Sequence, residues 1–127
     1  VRYLRRRAER WREFLRAGLA DVEPAQRPVA VFDLLARWLR EQDRGCAFVN
    51  AYAEVGGSGH PAEAEIRAEK QWMRDHFVEL ARAGGVAEPE RVGVELHLLY
   101  EGATVLTTAA GAPDALPRAA AAARRLF

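Results

Sequence analysis

The chain has 127 residues, half of them hydrophobic and 29% charged, and a formal net charge of +1 at pH 7. That length suffices for a single domain, 1–127, with its own core, and the near balance of charge excludes a global basic field that would draw nucleic acid to it. One cysteine allows no internal disulfide, and no apolar run approaches the ~20 residues of a membrane span, so a cytoplasmic protein without a membrane partner is expected.

Arginine outnumbers lysine 18 to 1 and alanine is abundant, both of which favour helix. Val1, Leu4, Ala8, Trp11, Leu15 and Leu19 repeat at helical spacing and predict a first helix from Val1 to Ala20 with one apolar stripe. Seven arginines between Arg2 and Arg16 crowd its other faces and read as a solvated surface. Glu9 and Glu13 interrupt them, and no signal-peptide core follows. Glu23-Pro24 ends the unit, because the residue before proline is pushed out of the helical region. A second helix is predicted from Pro28 to about Gln42, with Val31, Phe32, Leu35, Trp38 and Leu39 on a wide apolar face and Gly45 as its C-terminal cap.

Cys46 to Val55 reads as a short third helix. Phe48, Val49 and Tyr52 would also suit a strand, but no second strand exists to pair with it. Gly56-Gly57-Ser58-Gly59 is a break, after which His60 caps and Pro61 starts a long helix with Glu63 and Glu65 expected in its first turn. Ile66, Met73, Phe77 and Leu80 mark its apolar face as far as Gly84-Gly85. A further helix runs from about Pro89 to Ala110 and is closed by Gly111-Ala112-Pro113. The last, from Asp114 to Leu126, is predicted to be capped by Asp114. The expected fold is therefore all-α, an antiparallel helical bundle of about six helices.

Three segments carry a family resemblance: Arg44-Gly45-Cys46-Ala47-Phe48-Val49-Asn50-Ala51, His60-Pro61 opening a long helix, and Leu98-Leu99-Tyr100-Glu101-Gly102-Ala103. With the helix order, which matches over essentially the whole chain, they resemble the C-terminal ligand-binding and dimerisation half of TetR-family transcriptional repressors. Arg6 to Trp11 looks like the later part of the helix that joins the DNA-binding head to that body. The family's N-terminal helix-turn-helix head has no counterpart here, since the basic first helix lacks the preceding helix and tight turn that a recognition helix needs. The polypeptide is therefore expected to be the effector-binding body alone, with DNA bound only through a head outside it.

The helix from Pro89 has two faces to bury. Leu96, Leu99, Ala103, Leu106 and Ala110 form one stripe, and His97, Glu101, Thr104 and Thr108 a second, more polar one. The resemblance implies that the last two helices pair with those of a second subunit in a four-helix bundle. Leu99, Gly102, Ala103, Leu106, Ala110, Ala119 and Ala122 are the expected homodimer interface. The competing reading is intramolecular core. On the dimer reading, Ala103→Arg should break the dimer without unfolding the chain.

The polar stripe and the aromatic residues are candidates for lining a ligand cavity, which is typically apolar with a few placed polar groups. The expected set is Trp11, Phe48, Asn50, Trp72, His76, His97, Tyr100 and Thr104, around a mostly apolar, aromatic effector with one or two hydrogen-bonding groups. Packed core is again the alternative for each of them.

Neither catalysis nor a metal is expected. Cys46 sits among small apolar residues, where a thiol stays protonated, so a nucleophile built with Asn50 and His76 or His97 has no support. His60, His76, His97 and Cys46 lack paired ligand spacing, and no cofactor is implied. The resulting expectation is the effector-binding, homodimeric domain of a TetR-like repressor. Its rivals are a dimerisation module with a filled core, which a cavity well below ~300 Å³ would favour, and a small helical enzyme, which would need a convergent acid–base pair.

Overall fold

The computed structural model describes residues 2–41 and 59–127. The predicted third helix, with Phe48 and Asn50, lies outside them. Among the described residues there are five α-helices, one 3-10 turn and no strand. The first helix, α1 (Arg2–Leu19), buries Leu4, Ala8, Trp11, Leu15 and Leu19, the predicted stripe. A 3-10 turn (Pro24–Gln26) leads into α2 (Arg27–Arg40), where Pro28 occupies the first turn and needs no backbone donor. Here Val31, Phe32, Leu34 and Leu35 are buried, while Trp38 and Leu39 are half-buried. Leu34 lies against Gly18, and Trp38 against Trp11 and Phe14, so α1 and α2 run antiparallel.

Helix α3 (Pro61–Ala83) starts as its sequence suggests: the His60 side chain accepts the Ala62 N–H at 3.0 Å, and Pro61 follows at the first position. It ends in a left-handed turn at Gly85 (φ 77°). Val86 N–H bonds Ala81 O at 3.0 Å, and Gly85 N–H bonds Arg82 O at 3.1 Å, which satisfies carbonyls the helix leaves free. The chain then reverses into α4 (Pro89–Thr108), pairing Val78 with Gly93 near the turn and Lys70 with Glu101 further along. That antiparallel pair is the most extensive among the described residues.

Helix α5 (Ala115–Arg124) packs on α4 and α2 through Leu116, Ala119, Ala120 and Ala123, whose small side chains permit close approach. Asp114 stands at its N-cap position without capping it. The carboxylate takes a hydrogen bond from Arg118 Nε at 2.7 Å and makes no capping bond to the first turn. An i,i+4 arginine competes with the orphan amides and wins here.

All five helices contribute to one core. Phe32, Phe77, Leu15, Met73, Leu96, Val31 and Val92 are the large side chains fully enclosed in it, and the Phe32 and Phe77 rings lie 6.0 Å apart. The rotation of α4 departs from the two-stripe expectation. Val92, Gly93, Leu96, Ala103 and Thr104 are buried, Leu99 is half-buried, and Leu106 is 50% exposed. At 3.6 residues per turn Leu99 and Leu106 fall to one side of the line through Leu96 and Ala103, and that flank of the stripe turns away from the core.

Of the expected interface residues, Ala103 (4% exposed) and Ala119 face this chain's own core. Gly102, Leu106 and Ala110 are exposed, and Leu99 and Ala122 half-buried. Ala103→Arg is thus corrected as a dimer probe, because it would place a guanidinium in the intramolecular core. Leu106→Arg leaves that core intact.

Candidate ligand cavity and the polar ties around it

Three of the expected ligand residues converge. Trp11 from α1 and Tyr100 and Thr104 from α4 line an internal cavity of about 40 Å³, together with Leu35, Trp38 and Leu39 from α2 and Met73 from α3. Their rings form a cluster: Trp11 is 5.4 Å from Trp38 and 6.3 Å from Tyr100, and Tyr100 is 5.6 Å from Phe77 in an edge-on contact. The Thr104 hydroxyl donates to Tyr100 O at 2.8 Å, so its hydrogen is committed to its own helix.

Four charged residues complete the lining: Glu101, a member of the polar stripe expected to face a cavity, and Arg7, Glu69 and Lys70, which lie outside the expected set. Arg7 lies 5.5 Å over the Trp38 ring. Glu69 is 7% exposed, at a core position of α3 between Ile66 and Met73. Arg12 of α1 binds its Oε1 through both Nε (3.1 Å) and Nη2. Glu101 takes hydrogen bonds from Lys70 Nζ (2.8 Å) and His97 Nε2 (3.0 Å). Consecutive residues of α3 therefore tie it to two neighbours, Glu69 to α1 and Lys70 to α4. Two buried polar atoms of the lining residues have no hydrogen-bond partner among the described residues: Trp11 Nε1, a donor, and Glu69 Oε2, an acceptor. Such orphans are rare in folded proteins and mark places where water or a ligand is expected.

The two carboxylates respond oppositely to their surroundings. Burial pushes the Glu69 pKa above its ordinary 4.5, and the Arg12 hydrogen bond and charge only partly offset it. Burial also acts upward on Glu101, but the His97 hydrogen bond and the charge and hydrogen bond of Lys70 outweigh it, and its pKa falls below 4.5. A raised acid pKa means that stability is lost as pH climbs from the unfolded-chain value through the folded one; a lowered pKa means that stability is present at neutral pH and lost as pH falls through the folded value. Glu69→Gln is therefore expected to gain stability relative to the parent on going from pH 4 to pH 7, and Glu101→Gln to lose it. Denaturant midpoints at the two pH values would show this, and parallel changes in both variants would contradict it.

Phe48 and Asn50 lie outside the described residues, and the other three expected ligand residues are placed elsewhere. His97 stands behind the cavity, holding Glu101 and stacked against Tyr100 at 6.2 Å. Trp72 and His76 are stacked at 4.8 Å and line a separate surface groove of about 540 Å³ with Arg12, Arg16, Arg27, Leu19, Ala20 and Leu80. Burial lowers the His76 pKa below 6.5 against the opposing pull of Glu79.

In sequence, Arg7 belongs to the arginine-rich solvated face of the first helix, and Glu69 and Lys70 belong to no candidate set. Only Glu69 carried a legible signal: a carboxylate three residues after Ile66 and four before Met73 sits on an apolar stripe. Among the described residues no three His, Cys, Asp or Glu side chains cluster as a metal site would require, and no helix is long and apolar enough to cross a membrane. Comparison with protein families, with characterised proteins and with solved structures finds no match to this chain.

Proposed function

We propose that this chain is the effector-binding and dimerisation body of a TetR-like transcriptional repressor, acting on DNA through a helix-turn-helix head joined ahead of α1. The observation that carries this reading is the cavity among α1, α2, α3 and α4, where Trp11 Nε1 and Glu69 Oε2 lack partners among the described residues and Glu69 is at the same time the anchor of α1 through Arg12. A ligand that offers Trp11 an acceptor and Glu69 a donor, on a mostly apolar frame, competes directly with the tie holding α1. It would then favour one tilt of α1 to the extent that it binds the two arrangements differently. About 40 Å³ holds a water or a single small group, so the cavity must widen for an aromatic effector, for which ~300 Å³ or more is usual.

Dimerisation is supported by the exposed Leu98, Val105 and Leu106 on α4, apolar surface that a second copy would cover. The small cavity favours a second reading, a dimerisation module with a filled core.

A panel of neutral arenes carrying one hydroxyl or amide group separates the two. At 100 times the dissociation constant, an effector should raise the melting temperature by about 10 °C, from a stabilisation of ~2.7 kcal/mol, and quench tryptophan fluorescence. A panel without any such response leaves the filled-core module. Sedimentation at micromolar concentration should find a dimer that Leu106→Arg dissociates into folded monomers; a monomeric parent refutes dimerisation on either reading.

A further inference from the structure

Among the described residues, the groove at Trp72 offers about 540 Å³, a ligand-sized space, against about 40 Å³ in the cavity at Trp11. Three guanidinium groups reach its walls, Arg12 and Arg16 from α1 and Arg27 from the start of α2. Their charges are not equally compensated. Arg12 is committed to Glu69 and also stacks on Trp72, with its guanidinium carbon 4.3 Å from the ring centroid. Arg16 is paired with Glu13, and both side chains are largely exposed, so that pair is weak and exchangeable. Arg27 is half-buried and donates Nε to Val22 O at 2.8 Å, which fixes its guanidinium, yet no carboxylate pairs with it among the described residues. The groove thus holds one oriented, uncompensated cation and a second that is easily recruited. Leu19, Ala20 and Leu80 give it an apolar floor, and the Trp72–His76 stack forms its far wall.

We propose that this groove is a binding site for a small organic carboxylate with an apolar body, its carboxylate on Arg27 and Arg16 and its body on Leu19, Leu80 and Trp72. Guanidinium suits this ligand because its planar donors meet a carboxylate in pairs. The apolar floor separates such a ligand from an inorganic anion, which gains nothing there. The site is distinct from the internal cavity and does not depend on the effector reading, since the groove is open whether or not that cavity widens.

The test is titration of the whole chain with 4-phenylbutyrate, its neutral amide and inorganic phosphate, followed by tryptophan fluorescence and by amide chemical shifts. Phenylbutyrate should bind at least tenfold more tightly than the amide and than phosphate, and should shift His76 and Arg27 while leaving Thr104 in place. Trp72→Phe should remove the fluorescence response. Arg27→Gln should weaken binding about tenfold and Arg27→Lys much less, with melting temperatures near the parent's. If Arg27→Gln does not fold, Arg16→Gln, at the second cation of the groove, should give a smaller loss of the same kind. Equal binding of acid and amide, equal binding of phosphate, or shifts centred on Thr104 and Tyr100 would each overturn the proposal.

Discussion

Gly93→Ala is expected to lower the melting temperature by roughly 5 °C, although alanine is the better helix former by about 1 kcal/mol. A Cβ at Gly93 would stand 2.5 Å from Val78 Cγ2, 2.6 Å from Val78 Cα and 2.7 Å from Val78 N. Two of those atoms are backbone, which no rotamer change can move, so α3 and α4 must separate where they cross most closely. Forced overpacking of this kind typically costs about 1–3 kcal/mol and sometimes more, which exceeds the propensity gain. Because α4 also supplies Leu96, Ala103 and Tyr100 to the core and cavity, the separation should loosen those contacts as well. Gly102→Ala is the control on the same helix: nothing lies within 4 Å of its Cβ position, so it should be neutral or stabilising. Thermal melts of the two variants decide the matter. A Gly93→Ala protein that melts with or above the parent would mean that the helices do not cross there.

Phe77→Ala should be costlier still, about 3–5 kcal/mol, a large part of the ~5–15 kcal/mol that a domain of this kind possesses. Phe77 is completely enclosed and joins three elements, packing on Phe32 of α2 at 6.0 Å and, from its place on α3, on Tyr100 and His97 of α4 at 5.6 and 6.5 Å. Truncation removes the ring contacts and leaves a void that surrounding helices can fill only in part. Denaturant unfolding should show a lower midpoint with an unchanged slope, since the same surface is still exposed on unfolding. Phe77→Leu retains most of the volume and should lose much less. A loss below about 1 kcal/mol for Phe77→Ala would show that this position is not the centre of the core.

Trp11, Tyr100 and Thr104 were legible as cavity residues, because an aromatic or hydroxyl side chain on the inner face of an amphipathic helix has few other places to go. Trp72 and His76 share the inner side of α3 with Met73 and Phe77 in sequence, yet they turn to a different space. Facing inward does not specify which inward space a residue meets when a helix touches several neighbours. The place of Glu69 on the apolar stripe was legible, but its role was hidden for a related reason. A carboxylate at a stripe position is read as a boundary residue until its partner is known, and Arg12 lies 57 positions away.

Local periodicity determined much of this protein. The helical class, the ends of α1 and α3 and the buried faces of α1, α2 and α3 follow from repeats of three to four residues and from His60, Pro61 and Gly85, all of which act within one or two turns. The rotation of α4, which puts Ala103 inside and Leu106 outside, the backbone contact at Gly93, the two ties through Glu69 and Lys70, and the division of the aromatic residues between cavity and groove were decided only by tertiary structure. They depend on how closely and at what angle two helices meet, and that is fixed jointly by side chains far apart in the chain, so no single segment encodes it.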